Sequence, residues 1–333
     1  MTQFPQLNGF RGAPGLVRLV GHRGARGVMP ENTLEGFEFT VKSGVVALEF
    51  DVVLTQDAVP VVTHNHHLLN AATRGADGKW LQGAELKVSE LPLAQLQSYD
   101  VGGLDGRTVY GQRFPDQVFM SNVRVPTLGD LLDMALKPQG ADMLFLLEMK
   151  SDPETAHMPE VTERLVAEAV KAVRDRGLEQ RTVLHSFDWN LLEVCGRIAP
   201  DMPRSFLTIM PKNADDPGED SSKSVAPDFA KLGMPVPQAV VEAGGQMWCP
   251  HYLDVTREAG AAGAAAGRGG VARGGAPPPV SGVRRAEDCR RSCSSSSSNR
   301  MPQAALRIRA GAAVPGWVCS LSSVVIGSPM SKD

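Results

Sequence analysis

The sequence predicts an α/β protein, a TIM-type (β/α)8 barrel with a small insertion, its last βα unit missing or replaced. Three observations predict it. Short apolar runs alternate with helical stretches along the first 256 residues, the pattern of a parallel sheet wrapped by helices. The run at 142–149, DMLFLLEM, is apolar almost throughout, as expected of a strand covered on both faces. Carboxylates and imidazoles cluster towards the ends of these runs, where such barrels build their sites.

Taken in order, residues 16–21 form the first expected strand. Residues 32–43 form the first helix, with Asn32 or Thr33 as its cap and Glu35 in its first turn. Residues 45–53, 59–63 and 142–149 are the next three strands. A helix over 160–176 puts Val161, Leu165, Ala169 or Val170 and Val173 on one stripe, and Gly177 closes it. Strands at 182–187 and 204–209 flank a helix at 189–198, and 246–249 is one more strand. That makes about seven strand candidates before residue 257, one short of a closed barrel. Residues 65–125 are too long for a simple connection and lack strong periodicity. They read as an insertion at the barrel mouth. Residues 211–237, polar and Pro-rich, read as a mobile connection.

With 333 residues and 42% hydrophobic content, residues 1–256 can bury one large domain. From Arg257 the texture changes. Eleven basic and four acidic residues give the tail +7, while the whole chain carries −3, so the first 256 residues carry −10. Trp317 is the tail's one aromatic residue. A segment this poor in large apolar groups does not offset the entropy of ordering itself, so 257–333 is expected to be disordered. The five cysteines form no ligand pattern, and Cys289 and Cys293 lack the second pair a zinc site needs. The N-terminal stretch has no long apolar run. Neither a signal peptide nor a membrane span is expected, and the protein is expected to be cytoplasmic.

Glu49 and Asp51 stand two apart on a strand, so both point the same way. Carboxylates gathered at a buried strand end repel one another and lose hydration unless a cation joins them. Glu148 and Lys150 repeat the spacing at the end of 142–149. Glu49, Asp51 and Glu148 make an all-oxygen set suited to Mg2+ or Ca2+ rather than Zn2+. His22 and His64 each follow a short apolar run, and histidine serves as acid or base near neutrality. Arg23 can grip non-bridging phosphate oxygens through its fork of donors, and Lys150 adds a point charge. Asn32 divides between helix cap and substrate contact, and Gly24 and Gly27 supply tight turns. His66, His67, His185 and His251 read as structural. Together these residues are equipment for cutting a phosphodiester beside a divalent metal.

The linked segments His22-Arg23-Gly24, Pro30-Glu31-Asn32-Thr33, Glu49-Phe50-Asp51, 55–60 (TQDAVP), His64 and Glu148-Met149-Lys150 closely resemble the glycerophosphodiester phosphodiesterase family over about residues 16–256. The resemblance implies His22 and His64 as catalytic residues. It implies Glu49, Asp51 and Glu148 as ligands of a divalent cation, and Arg23 and Lys150 on the phosphate and substrate. Ser186-Phe187 resembles an aromatic position near substrate. The implied reaction is hydrolysis of a small-molecule glycerophosphodiester to sn-glycerol 3-phosphate and an alcohol. Two departures stand out. Asn65 replaces the family's Asp after the second histidine, and no Trp-Thr-Val-Asn-like closing strand follows Thr256. The alternatives are a dead or misfolded product of such a gene, and a lysophospholipase D-type activity on lipids. The Arg-rich tail lacks the aromatics and helical periodicity of a nucleic-acid binder, so no nucleic-acid partner is expected.

The abrupt break in composition in mid-domain also predicts that the tail is an out-of-frame translation of a GC-rich gene. Sequencing the locus tests this: one of the other two frames past codon 257 should encode a Trp-Thr-Val-Asn-like strand, and its absence from both refutes the idea.

Overall fold

A computed structural model describes residues 4–11, 18–210, 225–251, 254, 269–274 and 317–321 of this chain. Its strands are β1 (Arg18–His22), β2 (Ala47–Leu54), β3 (Pro60–Val62), β4 (Leu144–Met149), β5 (Thr182–Ser186), β6 (Arg204–Thr208), β7 (Met247–Pro250), β8 (Gly269–Gly274) and β9 (Trp317–Leu321). Parallel pairing runs β1–β2–β4–β5–β6–β7–β8–β9 and returns to β1, a closed ring of eight.

The expected count of seven barrel strands before residue 257 needs correction. β3 lies outside the ring, antiparallel to β2. Only residues 55–59 join the two, and a parallel return needs a crossover of roughly a dozen residues or more. Six strands of the body therefore enter the ring, and the tail supplies the last two places through β8 and β9. The final part of the barrel is replaced rather than absent. The rest of the segment expected to be disordered, Cys289 and Cys293 included, lies outside the described residues.

Alternation along β2 separates two cores. Leu48, Phe50 and Val52 face outward into the cluster beneath the helices Pro159–Arg174 and Trp189–Ile198. Phe50 meets Phe37 and Phe145 edge-on, with centroids 6.0 and 5.9 Å away. Ala47 points inward and joins Val20, Leu146, Val183, Leu207 and Met247 inside the ring. An N-terminal helix that the sequence reading missed, Gln6–Arg11, adds Leu7 and Phe10 to this inner cluster. The Gln6 amide donates to the carbonyls of Glu179 and Asp201, at 3.3 and 3.0 Å, on the loops that enter β5 and β6. The helix thereby plugs the end of the barrel opposite the strand C-termini.

At those C-termini the insertion forms its own cluster around Val61, Leu68, Val88, Leu91, Leu96 and Val125. A helix at Val236–Glu242 stands at the end of the expected mobile connection, of which 211–224 lie outside the described residues. Cys195 and Cys249 are buried and not joined in a disulfide. Among the described residues no helix is long and apolar enough to cross a membrane.

Phe50→Ala removes a fully buried ring wedged between two others. It should cost about 3–5 kcal/mol, read from the denaturant midpoint. A loss below about 1 kcal/mol would mean the outer core collapses around the gap.

Candidate active site

Parallel register performs the first step of assembly. It sets His22 beside Glu49, Asp51 beside Glu148, and Glu148 beside His185 on neighbouring strands. Glu49, Asp51 and Glu148 are buried, and one oxygen of each lies within 4.8 Å of the others. Lys150, equally buried, places its ammonium 3.0 Å from Asp51 Oδ1 and donates to Glu148 Oε1. The sequence-predicted ligands and lysine thus come together. The three carboxylates outnumber this ammonium and the Arg23 guanidinium that also meets Asp51.

The loop after β1 supplies the arginine. Arg23 has φ +52° and Asn32 φ +55°, both in the left-handed region that side chains other than glycine seldom adopt. Gly24, at φ +81°, continues the turn, as its lack of a Cβ permits. The Asn32 amide donates to the Arg23 carbonyl at 3.0 Å and closes the loop. Such backbone costs about 1–3 kcal/mol per residue and persists where neighbours over-determine it. Here they do. The Arg23 backbone amide donates to Glu49 Oε2 at 3.1 Å, Nη1 donates to Glu31 Oε1 at 3.2 Å, and Nε stands 3.4 Å from Asp51 Oδ2.

Asn32 is not the helix cap. Thr33 takes that role, its hydroxyl accepting from the Gly36 amide at 3.1 Å. Asn32 Nδ2 instead donates to Asp51 Oδ2 at 2.8 Å, and its buried Oδ1 has no hydrogen-bond partner among the described residues.

His22 Nε2 lies 3.6 Å from Glu49 Oε2, close enough for ion pairing when protonated but long for a hydrogen bond. His64 follows β3, and its Nδ1 is 2.9 Å from Asn65 Oδ1. An amide oxygen only accepts, so Nδ1 carries a proton in this contact. Asn65 performs the orienting job of a carboxylate without adding charge. His64 opens onto a cleft lined by Glu31 and Asn32 and walled by Leu68, Leu69, Val101 and Leu104 of the insertion.

Glu31 is the residue that sequence reading left without a role. Burial pushes its carboxyl up, but Arg23, Arg26 and His64 and a hydrogen bond from Tyr110 outweigh this and hold it below the usual range. Its contribution to stability is therefore complete above the unfolded glutamate pKa and fades as pH falls through the lower folded value.

Phe187 follows β5 and packs in the inner apolar cluster. Asp57 anchors the β2–β3 turn, accepting from the Thr55 hydroxyl at 2.6 Å and the Leu93 amide at 3.0 Å.

A model of the glycerophosphoryl diester phosphodiesterase family matches residues 22–250. Among curated proteins, the chain is 30% identical over 193 residues to the uncharacterised Bacillus subtilis protein YqiK, covering 58% of this chain and 67% of that one. It is 25% identical over 189 residues to a glycerophosphodiester phosphodiesterase of Caldanaerobacter subterraneus, covering 57% and 65%. The chain thus spans about two thirds of these relatives. The crystal structure of a candidate glycerophosphoryl diester phosphodiesterase from Silicibacter pomeroyi is 52% identical, with a TM-score of 0.74 over 81% of this chain and 86% of that one. An Oleispira antarctica phosphodiesterase solved with its product sn-glycerol-3-phosphate shares the fold at 20% identity and a TM-score of 0.53, over 77% and 84%.

Lys150→Met strips the ammonium from Asp51 and Glu148. In metal-free buffer it should destabilise the protein by about 3–5 kcal/mol, because buried carboxylates lose their partner. Millimolar Mg2+ or Ca2+ should restore much of the loss in thermal melts; a loss that neither cation relieves would contradict a cation-accepting cluster.

Proposed function

Because the chain belongs to the glycerophosphoryl diester phosphodiesterase family, we propose that it hydrolyses glycerophosphodiesters to sn-glycerol 3-phosphate and an alcohol. The observation that carries this reading is a buried cluster of three carboxylates set between Arg23, Lys150 and two imidazoles at one end of a barrel. The product is the one bound by the Oleispira relative.

The cluster fits a divalent cation. Its donors are all oxygen, its carboxylates outnumber the ammonium and guanidinium beside them, and Asn32 Oδ1, without a hydrogen-bond partner among the described residues, lies beside it. Glu49, Asp51 and Glu148 would hold Mg2+ or Ca2+, which supplies Lewis-acid polarisation of a phosphate oxygen and a lowered pKa for a hydroxyl.

The remaining work falls to side chains of this protein. Arg23 offers its fork to the non-bridging oxygens, and Lys150 adds positive charge from β4. His22 and His64 divide two proton transfers, one from the attacking hydroxyl and one to the leaving alkoxide. The Nδ1 proton of His64 is held by Asn65, which assigns this exchange to Nε2. Asn32 Oδ1 can accept from a glycerol hydroxyl, and Phe187 at the end of β5 covers the apolar side of the glycerol. The apolar insertion wall favours one second reading, a lysolipid whose carbon chain lies along Leu68, Leu69 and Leu104.

Release of glycerol 3-phosphate from glycerophosphocholine, set beside choline release from lysophosphatidylcholine, separates these readings. The first release should stop with a chelator and fall roughly 10²–10⁴-fold in His22→Ala and in His64→Ala. A folded chain that cleaves neither substrate would overturn the proposal.

A further inference from the structure

The insertion does more than wall the cleft. Its short helix Val109–Gln112 starts at Thr108, whose hydroxyl accepts from the Gly111 amide at 3.0 Å. A Cβ at Gly111 would stand 2.1 Å from the Asp105 carbonyl oxygen, so this turn is drawn tight against the segment before it. It presents Tyr110, whose hydroxyl donates to Glu31 Oε2 at 2.7 Å. The other carboxylate oxygen of Glu31 accepts from Arg23 Nη1. One carboxylate thus joins a phenol on the insertion to the guanidinium on the catalytic loop.

Three further contacts bind the same two segments. Arg26 lies over the Phe114 ring at 5.1 Å, and Phe114 meets Tyr110 edge-on at 5.7 Å. The Gln117 side chain donates to the Arg26 carbonyl at 2.8 Å, and the Val118 amide donates to the Val28 carbonyl at 2.9 Å. Residues 110–118 therefore clamp the stretch between Arg23 and Glu31, the part of the site with left-handed backbone.

We propose that Tyr110 is a positioning residue for the phosphate-binding arginine, acting through Glu31, so that the insertion sets the affinity of the site for the phosphate group. The inference rests on the phosphodiesterase reading above. Tyr110 touches no reacting atom. Its hydroxyl fixes the carboxylate plane, and that plane fixes the guanidinium fork, whose two-point grip tolerates little rotation. A misaligned fork weakens substrate and transition state alike, so the effect should fall on KM more than on kcat.

The test is steady-state kinetics on glycerophosphocholine, with calorimetric binding of glycerol 3-phosphate, for the full chain and for Tyr110→Phe, Glu31→Ala and the double variant. Tyr110→Phe loses one hydrogen bond to a charged acceptor. KM and the glycerol 3-phosphate dissociation constant should each rise roughly three- to ten-fold, with kcat within about two-fold and the melting temperature little changed. In the Glu31→Ala background the same substitution should add less than about two-fold, because its route is already cut. Equal losses in both backgrounds, or wild-type KM in Tyr110→Phe, would overturn the inference while leaving the phosphodiesterase reading intact. A wild-type chain that neither hydrolyses the diester nor binds glycerol 3-phosphate would sink the reading and this inference together.

Discussion

The structure turns on the cost of burying Glu49, Asp51 and Glu148 within 4.8 Å of one another. Like charges at that distance in a medium of low polarity repel by several kcal/mol, and each has also given up its hydration. What surrounds them serves to make that tolerable. Lys150 bridges two of the three, Asn32 donates to Asp51, and the Arg23 backbone donates to Glu49. The left-handed turns at Arg23 and Asn32 belong to the loop that brings both groups against β2. Carboxylates still outnumber their basic partners in the cluster, and the proposed cation site rests on that imbalance.

The ring makes such a cluster reproducible. A parallel ladder fixes which residues stand side by side, and a slip of one residue would turn every carboxylate outward. The outer core therefore protects function. Phe50 packs outward between Phe37 and Phe145, and in doing so holds Glu49 and Asp51 inward.

Much of this was legible because it depends on short-range periodicity. Spacing of two on an apolar run places Glu49 with Asp51 and Glu148 with Lys150, and the apolar runs mark β1, β2, β4, β5, β6 and β7 to within about three residues at each end. What escaped depends on geometry that composition does not encode. Pro60–Val62 is as apolar as a barrel strand, and only the brevity of its link to β2 turns it back antiparallel. Asn32 and Thr33 are both good caps by residue type, and backbone torsion alone decides between them. Tyr110 belongs to a segment without periodicity, 79 residues along the chain from the carboxylate it binds.

The two tail strands show the opposite limit. Backbone pairing reads no side chains, so a Gly-rich segment such as Gly269–Gly274 can fill a ladder position that its composition does not announce. The cluster itself draws on neighbouring strands β1, β2 and β4 and on the β2–β3 hairpin, all from the body of the chain. β9 pairs with this arc along Arg18 to Gly21, one residue short of His22. Among the described residues, the tail thus meets the strands of the site as backbone support for that edge of β1.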